Sequence, residues 1–158
     1  MERNKKIMYS GLAILLLVLL LGILWQNRQL KTVQEEGYQF PSPEAVVRQY
    51  FTAWNEKNYP DMYATLSDGF KKIDPNAKDL ATFRQFASAQ GIEGLKIKGI
   101  TEKSNDGQTA EVEYTVEFTL ADGTTKPFQG TYTLKYRRSD VIQGWKLIHP
   151  YGENIDRS

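Results

Sequence analysis

Ala110-Glu111-Val112-Glu113-Tyr114-Thr115-Val116-Glu117-Phe118-Thr119-Leu120 alternates apolar and polar side chains along its whole length. A period of two is the mark of a β-strand with one buried and one solvated face. A second run, Phe128, Gly130, Tyr132, Leu134 and Tyr136 against Gln129, Thr131, Thr133, Lys135 and Arg137, repeats the pattern beyond a turn at Asp122-Gly123. Upstream, Leu95 and Ile97 alternate with Lys96 and Lys98, and Ile100 falls one position out of phase after Gly99. A glycine at a phase slip predicts a β-bulge. Lys103 to Gln108 reads as a hairpin loop, Arg138 to Gly144 as a further loop, and Trp145 to His149 as a last short strand. The result is an antiparallel meander with one apolar face.

Before Gly94 the period is helical. Ser42-Pro43 is a helix start, serine as N-cap and proline in the first turn, and Val47, Tyr50, Phe51 and Trp54 share one face. Asn58-Tyr59-Pro60 opens a second helix with Met62, Tyr63 and Leu66, ending near Gly69. Asp79 opens a third, carrying Leu80, Phe83, Phe86 and Ala87 inward and stopping at Gly91. Helices followed by a meander give an α+β order. The expected fold is a cone of three helices packed on a curved antiparallel sheet, preceded by an N-terminal transmembrane helix.

That helix is read from Ile7 through Leu16 to Trp25, a run without charge. At 1.5 Å per residue it spans about 28 Å, close to the hydrocarbon core of a bilayer. Tyr9 and Trp25 sit near its ends, where amphipathic rings prefer the interface. Arg3, Lys5 and Lys6 precede it and favour a cytoplasmic N-terminus. Signal peptides have shorter apolar cores and small residues at their cleavage site, whereas Ile23-Leu24-Trp25 is bulky. The expected organisation is a cytoplasmic tail (1–6), a signal anchor in the cell membrane (7–25), a stalk (26–41) and an extracytoplasmic domain (42–158).

The chain has 158 residues, 20 basic and 19 acidic. Setting aside Arg3, Lys5, Lys6 and Glu2 leaves 17 and 18, a near-neutral remainder with no nucleic-acid footprint. There is no cysteine, hence no disulfide and no thiolate zinc site. His149 is the lone histidine; a general base at the cone's rim is weighed there against a surface residue before Pro150. Glu111, Glu113 and Glu117 share a strand face and could bind a cation, or be a solvated face balanced by Lys135 and Arg137. The second reading is preferred, because the opposite face must be buried. Asp61 and Asp68 read as helix-start and helix-end residues. No serine is followed three residues later by lysine, and there is no Lys-Thr-Gly, so penicilloyl-serine transferase chemistry is absent. No catalytic residue, cofactor site or metal site is expected. The candidate pocket or partner surface is aromatic: Tyr50, Trp54, Tyr63, Phe83, Tyr114, Phe118, Tyr132 and Tyr136. Ordinary core packing accounts for most of this set.

Three stretches carry a family resemblance: Pro43-Glu44-Ala45-Val46-Val47 leading to Tyr50-Phe51 and Ala53-Trp54; Gly91-Ile92-Glu93-Gly94-Leu95-Lys96-Ile97; and Gly144-Trp145-Lys146-Leu147. From Pro43 to Ile155 the chain resembles the nuclear transport factor 2-like superfamily. Within it, the chain is most similar to the N-terminal, non-catalytic domain of methicillin-resistance-type transpeptidases, the class B penicillin-binding proteins. It departs from them at Ile148-His149, where such domains often carry Trp-Asp. The plan of short tail, helix and cone also resembles inner-membrane scaffold subunits of conjugation and type IV secretion machines. The resemblance implies a non-catalytic, membrane-tethered module that docks an envelope protein, a cell-wall or transport partner, or associates with itself. The alternative is a small-ligand-binding or isomerase-like cone, which requires an open pocket and a buried acid.

Overall fold

The computed structural model describes residues 39–150. The expected tail, anchor and nearly all of the stalk lie outside them, as do residues 151–158. Among the described residues, no helix is long and apolar enough to cross a membrane.

Among the described residues, four helices precede four strands: α1 (Pro43–Asn55), α2 (Tyr59–Ala64), α3 (Asp68–Ile73) and α4 (Leu80–Ala89), then β1 (Ile92–Asn105), β2 (Thr109–Leu120), β3 (Thr125–Arg137) and β4 (Gly144–Leu147). The helix expected to end near Gly69 is therefore two short helices. Thr65 and Leu66 interrupt it because their backbones turn to the sheet: Ser67 N–H donates to Leu147 O (2.9 Å) and Leu147 N–H to Thr65 O (2.9 Å). Ser67 then caps α3, its Oγ accepting from Phe70 N–H at 2.9 Å. Asp68 begins a helix instead of ending one. The same contact covers the free edge of β4, which an exposed sheet must otherwise protect.

The strands pair in sequence order, all antiparallel. β1 slips register between Ile92 and Gly94, between Ile97 and Gly99, and between Glu102 and Ser104. The middle slip is the bulge expected at Gly99. A bulge withdraws amides from the ladder, and α1 answers at the outer two. Its Glu44 carboxylate accepts from Glu102 N–H at 2.7 Å, and Asn55 Oδ1 accepts from Leu95 N–H at 2.7 Å. Bulges curve the sheet, and α1 is pinned across the concave side at both ends.

Val47, Phe51, Met62, Val112, Val116, Leu134 and Leu147 are fully buried between helices and sheet. The β2 alternation appears as expected, with Ala110, Val112, Tyr114 and Val116 inside. Other expected core positions do not close over. The ten-residue α4 turns Phe83 and Ala87 inward, and the described residues leave its Leu80 (38% exposed) and Phe86 (43%) partly open, as they do Phe128 (53%) on β3. Arg137 is also corrected. It is 7% exposed, not on the solvated face, and two of the three glutamates of β2 are balanced from β1 instead: Lys98 to Glu117 (3.3 Å) and Lys103 to Glu113 (3.0 Å).

Candidate functional site

Five of the eight expected aromatic residues form one layer, and Tyr63, Phe83 and Tyr136 lie outside it. Tyr50, Phe51 and Trp54 of α1 lie against Tyr114, Phe118 and Tyr132 of the sheet, with ring centroids 5.7 Å apart for Tyr50–Tyr132, 4.9 Å for Phe51–Tyr114 and 5.3 Å for Trp54–Phe118. Tyr114 and Tyr132 stack at 4.6 Å. Spacings of three and four bring the helical rings to one face, and alternate positions bring the strand rings to the other. Tyr63 pairs with Phe83 at 5.4 Å, its hydroxyl donating to Ala77 O at 3.0 Å. Tyr136 stands apart, packed edge-on against Trp145 (5.6 Å) and Phe40 (5.6 Å).

The phenols of Tyr50, Tyr114 and Tyr132 are joined through Tyr132, which shares hydrogen bonds with both others. Burial pushes all three hydroxyls above the ordinary tyrosine range, because a phenolate there would be desolvated. They are neutral hydrogen-bonding groups at any physiological pH.

A pocket of ≈ 190 Å³ opens beside this layer, lined by Tyr50, Tyr132, Phe83, Phe86, Asp74 and Pro150 among others. It is smaller than the roughly 300–1,000 Å³ typical of small-molecule sites. Three of the eight expected aromatics line it; Trp54, Tyr63, Tyr114, Phe118 and Tyr136 do not. Asp74 is its acid, at 22% side-chain exposure and 3.6 Å from His149 Nε2. His149 also lies edge-on to Phe70 at 4.9 Å. No sequence spacing foretold the Asp74–His149 pair, since 75 residues separate them.

Among the described residues, the buried acid is elsewhere. Asp140, in the β3–β4 loop, pairs with Arg137 (Nε to Oδ1, 3.2 Å), with side chains only 3% and 8% exposed. Its second oxygen accepts from Asp68 N–H at 2.9 Å, and Asp68 in return accepts from Val141 N–H at 2.9 Å. Asp140 does not line the aromatic pocket. Lys146 is likewise buried, its Nζ donating to Ala64 O at 2.6 Å, and burial lowers its pKa. Among the described residues, no group of three or more histidine, aspartate or glutamate side chains is placed to hold a metal ion.

Comparison with known proteins agrees with this architecture. The chain is 25% identical over 109 residues to penicillin-binding protein 3 of Bacillus subtilis (strain 168), a match covering 67% of this chain and 16% of that protein. The chain thus spans about a sixth of that relative's length. Among solved structures it is similar to a calcium/calmodulin-dependent protein kinase type II association domain from Thiobacillus denitrificans, with TM-score 0.50, 21% identity, and coverage of 72% of this chain and 95% of the other. A ketosteroid isomerase-like protein from Erwinia carotovora atroseptica is more distant, with TM-score 0.44, 20% identity, and coverage of 66% and 86%. At 21% identity the likeness to the association domain speaks to the fold alone. The family model for the NTF2-like N-terminal transpeptidase domain matches residues 42–150, the same span in which bulged sheet, crossing α1 and aromatic layer are found, and the chain belongs to that family.

Proposed function

We propose that the protein is a non-catalytic docking module, anchored in the cell membrane by residues 7–25 with its C-terminal domain outside the cytoplasm. The observation that carries this is how the cone is filled. Tyr50, Tyr114 and Tyr132 spend their rings on packing and their hydroxyls on each other, and the domain's buried acid is spent on Arg137. A cone whose three central phenols and most deeply buried acid are already engaged is suited to presenting a surface. Its partner is a protein of the envelope, or a second copy of the chain.

The test has two parts. Externally added protease should degrade the domain in spheroplasts while sparing an N-terminal tag; protection of the domain there would reverse the topology. Crosslinking in intact cells, followed by capture through the full chain, should then return the same envelope protein, or the chain itself, in replicate experiments. Return of neither under conditions that keep membrane complexes intact would remove the docking role.

A second reading rests on the ≈ 190 Å³ pocket and Asp74 at its wall. It makes the cone a binder of a small ring such as phenol. Phenol should then raise the melting temperature, and Ala77→Met, which fills the pocket from a buried wall position, should abolish the rise. No shift with phenol or with other single-ring compounds would eliminate this reading.

A further inference from the structure

The β3–β4 loop spends a buried ion pair on holding two apolar residues in solvent. Val141 is 92% exposed and Ile142 53%. Scattered apolar residues are normal on a surface, but this pair is fixed from both sides. Arg137 and Asp140 pair beneath it, and the Asp68 and Asp140 carboxylates exchange amide hydrogen bonds that tie the loop to the start of α3. Desolvating an ion pair is costly. A pre-organised tip recovers that cost as binding, because little ordering remains to be done.

Two features indicate what the tip meets. The first is charge. Arg138, exposed and next to the tip, has no acidic partner among the described residues, because Asp140, the nearest acid in sequence, is engaged by Arg137. Asp106, on the neighbouring hairpin turn, is folded back onto the amides of Gln108 and Thr109. The second is where the chain enters. Phe40, at the start of the described residues, packs on Tyr136 and lies against Gly144 at the foot of this loop; a Cβ on Gly144 would stand 3.1 Å from the Phe40 ring. The described chain therefore begins at the end of the domain that carries the tip. In sequence, only residues 26–39 separate Phe40 from the apolar run 7–25.

We propose that Val141, Ile142 and Arg138 form a lipid-contact tip that seats the domain on the bilayer surface, the apolar pair entering the headgroup boundary and the guanidinium meeting anionic headgroups. The inference rests on the anchored reading above and adds an orientation to it: β3–β4 loop down, and the β2–β3 turn at Asp122-Gly123 away from the membrane.

The absence of cysteine makes the test direct. The full chain would be reconstituted in phosphatidylethanolamine–phosphatidylglycerol vesicles containing a nitroxide-labelled lipid, with one fluorophore on a single introduced cysteine. Three sites are compared: Ser139→Cys beside the tip, Thr124→Cys at the far turn, about 40 Å away along β3, and Gln26→Cys next to the anchor. Quenching at 139 several-fold stronger than at 124, and reduced when Val141→Asp or Arg138→Glu is added, is the expected result. Strong quenching at 26 with equal quenching at 139 and 124 would overturn the tip while leaving the anchor intact. No quenching at 26 would remove the anchor, and the tip with it. A blue shift at 139 without nitroxide quenching would assign the tip to a second copy of the chain and overturn the lipid contact.

Discussion

At Gly130 a single hydrogen atom decides the packing of the aromatic layer. It faces Tyr114 across the β2–β3 ladder, and a Cβ there would stand 2.6 Å from the Tyr114 hydroxyl and 3.0 Å from Cζ. Gly130→Ala must displace a ring that stacks on Tyr132, and should destabilise the domain by about 1–3 kcal/mol. Urea unfolding measures this, and non-additivity with Tyr114→Ala would trace the loss to that contact. Asp140→Ala deprives a buried guanidinium of its carboxylate and should cost about 3–5 kcal/mol. Replacing both partners, Arg137→Met with Asp140→Leu, should cost less, and an equal loss would show that the pair is not coupled. The buried phenols give a further expectation. Their folded pKa values are raised, so the stability they contribute is complete below the unfolded value, about 10, and is lost as pH rises through the folded values. Absorbance titration should show these three of the nine tyrosines, and Tyr63, which burial also pushes up, ionising late, together with alkaline unfolding. Tyr132→Phe should lessen the alkaline loss.

Among the elements, the loops and helix ends carry more information than the strands. Asp68 joins α3 to the β3–β4 loop. Burial pushes its carboxyl up, but the Val141 amide and Lys71 outweigh this and hold it below the ordinary value. Its contribution to stability is therefore present above the unfolded pKa of about 3.9 and lost as pH falls through the lower folded value. Asp68→Asn should flatten that acid limb and speed hydrogen exchange at the Val141 amide. An unchanged exchange rate would mean that Asp68 does not hold the loop. Helix starts were legible because Ser42, Asn58 and Asp79 are local signals, and each caps a helix. The start of α3 was not. Ser67 follows Leu66 in what looks like a continuing stripe, and only the pairing of residues 65–67 with Leu147 breaks it.

For the whole molecule, stability rests on one core between α1 and the sheet. Phe51 is 1% exposed and touches Tyr50, Tyr114 and Tyr132. Phe51→Ala should cost about 3–5 kcal/mol, a large share of the roughly 5–15 kcal/mol that holds a domain together. Thermal melting with denaturant titration measures it, and a loss below 1 kcal/mol would mean a second core carries the fold. The curvature of the sheet makes this core a cone, and a pocket of ≈ 190 Å³ opens beside its aromatic layer.

The sequence by itself determined the order of elements, the inward face of β2, the bulge at Gly99 and the absence of transpeptidase motifs. Each of these is written in local period or residue type. It also supplied the aromatic set, though not its division. Whether Tyr50 or Tyr114 lines the pocket depends on the angle at which α1 crosses the sheet, which Glu44 and Asn55 fix through amides 58 and 40 residues away. The tertiary structure alone decided that Arg137 is buried, that Asp140 is its partner, and that Val141 and Ile142 are held in solvent. On a strand of period two Arg137 reads as one more outward charge. Its burial follows from the loop folding back on α3, and pairings between segments some 70 residues apart leave no trace in local pattern.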